Sequence, residues 1–301
     1  MSSRTRMLAG VPVQQRSLSL AGVSTVLLET GEGPPLVLLH GGIECAGPVW
    51  APVIADLAER HRVIVPDLPG FGESEPVDDL DVVLGEWFRD LVAHSCDGPP
   101  ALVAHSLGGS LAARLAAERG RLVRRLILYG APAIGPYRMP LGLRAVAIRF
   151  GLRPTRSNAE RFERWAFFDY EGFRAREPGW LDAFGEEVHD RARVPHIKRS
   201  MRRLIARGTK RLPDAELRRI PVPTSLLWGR HDRFVPLELA EGASERLGWP
   251  LRLVDAAGHV AHIERPNAFV AALAEELDTP RARFAAAELS GGLGRAFGIR
   301  R

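Results

Sequence analysis

At Ser106 an apolar strand pattern gives way to a helical one with no spacer. No other feature constrains the fold of this chain as tightly. Pro100-Ala101-Leu102-Val103-Ala104 reads as a short strand buried on both faces, and Leu111 to Arg119 is a run of good helix formers. Between them lies His105-Ser106-Leu107-Gly108-Gly109. A serine in so sharp a turn needs small residues two before and two after it, here Ala104 and Gly108, because larger side chains collide with strand or helix. The turn lifts the hydroxyl clear of the backbone beside the N–H groups of a helix start, the mechanics of a nucleophile elbow. The plainer alternative is a serine that caps the helix.

Three other strand ends bear on that choice. Leu36-Val37-Leu38-Leu39 ends in His40-Gly41-Gly42, where two glycines let backbone N–H groups turn toward a ligand. Ser225-Leu226-Leu227-Trp228 leads into Gly229-Arg230-His231-Asp232, and Leu251-Arg252-Leu253-Val254 into Ala257-Gly258-His259. Serine, acid and histidine thus appear in the order Ser106, Asp232, His259, each after an apolar strand, where open α/β sheets gather their functional groups.

With these landmarks the sequence resembles the α/β-hydrolase fold family, in its cap-bearing esterase, haloperoxidase and C–C hydrolase branch. The matching residues are the His40-Gly41-Gly42 turn, Pro66-Asp67-Leu68-Pro69-Gly70-Phe71-Gly72-Glu73-Ser74, the Ser106 elbow, Trp228-Gly229-Arg230-His231-Asp232, and Gly258-His259 with Glu264 and Pro266. They span about Val26 to Asp278. Ala104 departs from the family's commoner glycine but is still small. The resemblance implies a mainly parallel sheet of about eight strands flanked by helices, with an inserted helical cap. Relatives that are haloalkane dehalogenases or epoxide hydrolases carry an aspartate where Ser106 stands, so the serine points away from them.

Strand patterns fall near 25–29, 35–39, 61–66, 100–105, 125–129, 222–228 and 250–254, and helical ones at 50–60, 84–94, 107–119, 237–247 and 265–277. This alternation predicts βαβ units, with Leu18–Leu28 as an antiparallel opening hairpin. Between 133 and 215 the strand rhythm stops and apolar residues recur at helical spacing, which reads as the cap. The expected organisation is a core at 16–132 and 216–278, a cap at 133–215, and loose termini at 1–15 and 279–301.

At 301 residues and 46% hydrophobic, the chain can bury a large core. Cys45 and Cys96 are the only cysteines, without metal-type spacing, so a reducing compartment and no structural metal are expected; no cofactor is expected either. No stretch reaches membrane-span length, and Met1 to Gln15 lacks the apolar core of a secretory signal, so the expected location is the cytoplasm. Residues 133–215 hold eighteen basic and ten acidic side chains, a net +8, which leaves −3 for the rest of a chain at +5. That excess reads either as steering of anionic substrates or contact with anionic surfaces, or as a solvated arginine-rich face. No nucleic-acid-binding module is recognisable.

The expected chemistry follows from what each group must do. Ser106 needs a base, the role assigned to His259, with Asp232 holding the other ring nitrogen. The oxyanion would meet the backbone N–H groups of Leu107 and Gly42. His40 and Gly41 support that turn, and the resemblance makes Asp67 a loop organiser. His262 is a rival to His259, and Asp232 could instead cap the helix after Pro236; Tyr129-Gly130-Ala131-Pro132, the other place for an acid, contains none. Trp165, Phe167, Phe168 and Tyr170 are candidates for the acyl pocket. The partner expected is a small acyl compound. Carboxylic ester hydrolysis ranks first, C–C cleavage of β-diketone-type compounds second, and a non-catalytic receptor or scaffold with an idle triad stands as the alternative of another class.

Overall fold

The computed structural model describes residues 1–42 and 46–278. Eight strands form one sheet: β1 (Gln14–Leu20), β2 (Val23–Thr30), β3 (Pro35–Leu39), β4 (Arg62–Pro66), β5 (Ala101–His105), β6 (Arg125–Tyr129), β7 (Thr224–Gly229) and β8 (Leu251–Val254). Their order is β1-β2-β4-β3-β5-β6-β7-β8. Strand β1 folds back on β2 through the two-residue turn Ala21-Gly22, with Leu20 opposite Val23, and β2 runs antiparallel to β4. All later neighbours are parallel.

The central strands read as continuous apolar runs because both faces of the sheet are covered. Alternate residues feed opposite cores: Val37, Leu39, Leu102 and Leu126 enter one, and Leu36, Leu38, Val103 and Ile127 the other. Helices α3 (Leu80–Ser95), α4 (Ser106–Arg119) and α11 (Leu237–Leu247) close the first, with Trp87, Leu111 and Ala240. Helices α2 (Ala51–Ala58) and α13 (Pro266–Asp278) close the second, with Ile54 and Phe269.

Between β6 and β7 the described chain forms no strand. It makes α5 (Leu141–Leu152), α6 (Arg156–Ala166), α7 (Tyr170–Arg176), α8 (Pro178–Arg191), α9 (Pro195–Gly208) and α10 (Asp214–Leu217). A short α12 (Ala261–Glu264) precedes α13. Among the described residues, no helix is long and apolar enough to cross a membrane.

The opening residues depart from the loose leader expected at 1–15. Ser3–Met7 forms α1, capped by the Ser2 hydroxyl, and Arg4 and Met7 are buried. Ser3 donates to Glu187 at 2.5 Å and Arg6 pairs with Glu186, both on α8, while Arg4 Nη1 reaches Asp67 Oδ2 at 2.9 Å. A five-residue helix is unstable alone. Tertiary ion pairs, invisible in its own sequence, hold this one. The weakly packed tail expected at 279–301 lies outside the described residues, as does Cys45.

Candidate active site

Parallel registry sets the carboxyl ends of β3, β5, β6, β7 and β8 side by side, so the loops that follow them share one rim of the sheet. Ser106 follows β5 directly with φ +53°, a left-handed backbone rarely held by a residue with a side chain. It is the first residue of α4, and the preceding residue makes no side-chain cap bond, which removes the capping-serine alternative. Gly108 is needed where the elbow crosses the neighbouring turn, since a Cβ there would stand 2.2 Å from the His40 carbonyl oxygen.

The Ser106 hydroxyl donates to His259 Nε2 at 2.9 Å, and His259 Nδ1–H donates to Asp232 Oδ2 at 2.7 Å. The side chains of His259 and Asp232 are fully buried. The second oxygen, Oδ1, accepts from the N–H groups of Phe234 (2.8 Å) and Val235 (2.9 Å), so Asp232 orders its own loop and is not the N-cap of α11, which is Pro236. The Phe234 ring stacks on the imidazole, centroids 4.9 Å apart and nearly parallel.

His262 does not compete with His259. It is fully buried on α12, its Nδ1 lies 3.2 Å from the Tyr129 hydroxyl, and its ring packs against Trp50. The Tyr129 hydroxyl donates to the His259 carbonyl at 2.6 Å, and His105 Nε2 donates to the same oxygen at 2.9 Å. His105 therefore turns its ring to the back of the His259 loop. His40 braces its turn: Nε2 accepts from the Leu68 N–H at 3.0 Å, so Nδ1–H donates to the Gly41 carbonyl at 2.8 Å. Asp67 accepts from the N–H groups of Gly47 and Glu73 as well as from Arg4. Ser74 bridges the Asp67 carbonyl and the Val26 N–H.

A cavity of about 540 Å³ opens over Ser106, with Gly42 and Leu107 also in its wall. The aromatic wall is Tyr137, Phe150, Phe162 and Phe234. Trp165, Phe167, Phe168 and Tyr170 do not line it. Phe167 is buried against Tyr170 and Phe173, and Phe168 stacks on His231. Burial, and secondarily the charge of Asp232, pushes the Tyr137 hydroxyl far up, so it stays protonated in the wall. Among the described residues, no group of three or more His, Cys, Asp or Glu could hold a metal ion.

Three supporting residues, Glu264, Ala166 and Gly130, carried too weak a signal in the sequence. Glu264, there only a landmark, accepts from the Gly258 N–H through Oε2 (2.6 Å) and from the N–H groups of Phe168 and Asp169 through Oε1 (2.8 and 3.0 Å). Burial raises its pKa against the opposing pull of these donors. The His259 N–H donates to the Ala166 carbonyl at 2.7 Å, so the C-terminal end of α6 docks directly on the His259 loop. Gly130 has φ +59°, and a Cβ there would lie 3.0 Å from His259 Cε1.

Comparison with known proteins gives a consistent relationship. A model of a family described as the alpha/beta hydrolase family matches residues 36–273. A 2-hydroxy-6-oxo-6-(2'-aminophenyl)hexa-2,4-dienoic acid hydrolase of Metapseudomonas resinovorans is 28% identical over 287 residues, covering 89% of this chain and 93% of the relative. A pimeloyl-[acyl-carrier protein] methyl ester esterase of Nitrosomonas europaea is 27% identical over 249 residues, covering 80% and 94%. Among solved structures, a 2-hydroxy-6-oxo-6-phenylhexa-2,4-dienoate hydrolase from Rhodococcus sp. strain RHA1 superposes with a TM-score of 0.75 at 26% identity, covering 89% of this chain and 99% of that one.

Proposed function

We propose, from the premise that this chain belongs to the alpha/beta hydrolase family, that it hydrolyses a carboxylic ester of a largely apolar small molecule through a covalent acyl-enzyme on Ser106. The observation that carries the reading is the unbroken hydrogen-bonded series Ser106, His259, Asp232 beneath a cavity of about 540 Å³, a size suited to a small ligand.

A serine hydroxyl is a weak nucleophile at neutral pH. His259 takes its proton as Oγ bonds to the ester carbonyl carbon, and Asp232 stabilises the imidazolium without itself being protonated. The carbonyl oxygen becomes an oxyanion facing the N–H groups of Leu107 and Gly42, each such donor being worth about 10²–10³ in rate. The intermediate collapses as the C–O bond breaks, and the leaving alkoxide takes the proton from His259. Water, deprotonated by the same imidazole, attacks the acyl-enzyme, and Ser106 leaves with its proton restored. The esterase among the relatives supports this chemistry.

The dienoate hydrolases among the relatives favour C–C cleavage as a second reading. A fluorophosphonate probe with mass mapping tests the nucleophile, and labelling is expected at Ser106 and lost in Ser106→Ala. Against p-nitrophenyl esters, Ser106→Ala is expected to lose at least ~10³ of the turnover. Equal rates for the two proteins would remove Ser106 from the mechanism. Turnover of a vinylogous 1,5-diketone acid with esters untouched would select C–C cleavage, and binding without turnover of either would select the receptor.

A further inference from the structure

Helix α5 is apolar on two opposite faces. Leu143 and Phe150 point inward and are buried. Leu141, Ile148 and Leu152, at i, i+7 and i+11, form a stripe on the outer side, exposed by 81%, 52% and 78%. Scattered exposed leucines need no explanation, but an aligned stripe marks an interaction site. Across the cavity mouth, α9 adds Ile205, 39% exposed. Ile148, Leu152 and Ile205 also line the cavity over Ser106, so the exposed apolar surface is its rim.

The charged side chains in the cavity wall, Arg144, Lys198 and Arg202, have one sign. Helix α5 carries Arg144 and Arg149, and α9 turns Lys198 and Arg202 to the cavity with Arg199 exposed beside them, while Arg203 and Arg207 stand on its other side with Asp78 and Asp79. Other arginines find acids: Arg4 pairs with Asp67, Arg62 with Glu29 and Arg252 with Glu276. Arg144, Lys198 and Arg202, which stand in the cavity wall, form no ion pair with a described residue. Cations held together without counter-charges repel one another, and an external anionic surface relieves that repulsion.

We propose that the cavity mouth docks on an anionic lipid surface. The Leu141-Ile148-Leu152 stripe enters the headgroup–acyl boundary, and Arg144, Lys198, Arg199 and Arg202 meet the headgroup phosphates. Apolar anchors ringed by cations are the chemistry of a helix lying in such an interface. A soluble acidic protein would satisfy the cations but gives no reason for three aliphatic side chains to stand in water along one stripe. Because Ile148 and Leu152 belong to both stripe and cavity wall, an acyl chain drawn from the surface reaches Ser106 along apolar side chains.

The test is co-sedimentation of the full chain with phosphatidylcholine vesicles, with and without phosphatidylglycerol, at low and high salt. Ser106→Ala is run in parallel, so that the outcome does not depend on turnover. Binding is expected only with the anionic lipid, and is expected to weaken with salt. Leu141→Ser and Arg199→Glu lie outside the cavity wall, so both should keep wild-type hydrolysis of a short soluble ester, which checks their folding. Leu141→Ser is expected to weaken vesicle binding about tenfold, and Arg199→Glu about fivefold or more. Absence of sedimentation, equal sedimentation with and without phosphatidylglycerol, or indifference to both substitutions would overturn the proposal. Retention by immobilised poly-glutamate without vesicle binding would also overturn it, and assign the face to an acidic protein.

Discussion

Glu264 accepts a 2.6 Å hydrogen bond from the N–H of Gly258, the residue before His259. Its other oxygen holds the N–H groups of Phe168 and Asp169, so one carboxylate joins the imidazole loop to the helices inserted between β6 and β7. Removing it leaves three N–H donors without their acceptor. Glu264→Ala is expected to cost about 2–4 kcal/mol, since bonds to a charged acceptor are worth roughly 1.5–3 kcal/mol and unsatisfied donors cost more. Urea denaturation measures that loss. Ester turnover should fall about 10- to 100-fold as His259 loses its placement, and Glu264→Gln should restore part of it. A variant with full turnover would separate Glu264 from the site.

Gly130 tests how closely the imidazole is packed. At φ +59°, any L side chain there costs about 1–2 kcal/mol. The added Cβ of Gly130→Ala would also press on the His259 ring, at 3.0 Å from Cε1. Turnover is expected to drop at least about tenfold, because misplacement by about 1 Å costs up to 10². The melting temperature should fall by only a few degrees. Unchanged kcat with the same loss of stability would show that the ring has room to move.

Apolar strands flanked by turns are the part of such a fold most readable from sequence. Ser106 follows one directly, and Asp232 and His259 stand in the short loops after two others, which is why their meeting at one rim of the sheet was foreseeable. The opening hairpin expected near Leu18–Leu28 forms, and it extends further, with Gln14 paired to Glu29. Contacts supplied from far along the chain were not legible. Helix α1 is held by Asp67, Glu186 and Glu187, none of them near it in sequence. The cavity wall was misread for a related reason. Aromatic residues at helical spacing do not announce which face turns inward, so Phe167 and Tyr170 fill a core while Phe150 and Phe162 reach the cavity.

Glu163 gives a pH dependence with a definite sign. It is buried in α6, and burial, with the Glu160 charge second, pushes its pKa from 4.5 up to about 8. Between those values the unfolded chain releases a proton that the folded protein keeps. The contribution of Glu163 to folding stability is therefore fullest below about 4.5, falls as pH rises, and levels off above about 8. At about 1.36 kcal/mol per unit, the full effect is a few kcal/mol. Glu163→Gln removes the ionisation, so it should raise the melting temperature at pH 9 and leave it nearly unchanged at pH 4.5. Parallel curves for the two proteins across that range would show that Glu163 is solvated when ionised.

The Arg4–Asp67 pair makes the first residues of the chain part of the site's support. Both side chains are buried, and Asp67 also holds the N–H groups of Gly47 and Glu73 in the loops beside His40. Breaking a buried pair from one side usually costs about 3–5 kcal/mol, because the remaining charge is uncompensated. Asp67 keeps two N–H donors, so Arg4→Ala should fall at the lower end, about 3 kcal/mol or less. In a double-mutant cycle, Arg4→Ala should cost much less on an Asp67→Asn background, with a coupling of about 1–2 kcal/mol. Additive losses would mean that Arg4 acts through packing alone. Turnover separates support of the site from support of the fold. If α1 serves the loop next to Gly42, Arg4→Ala lowers kcat at temperatures where the protein is still fully folded.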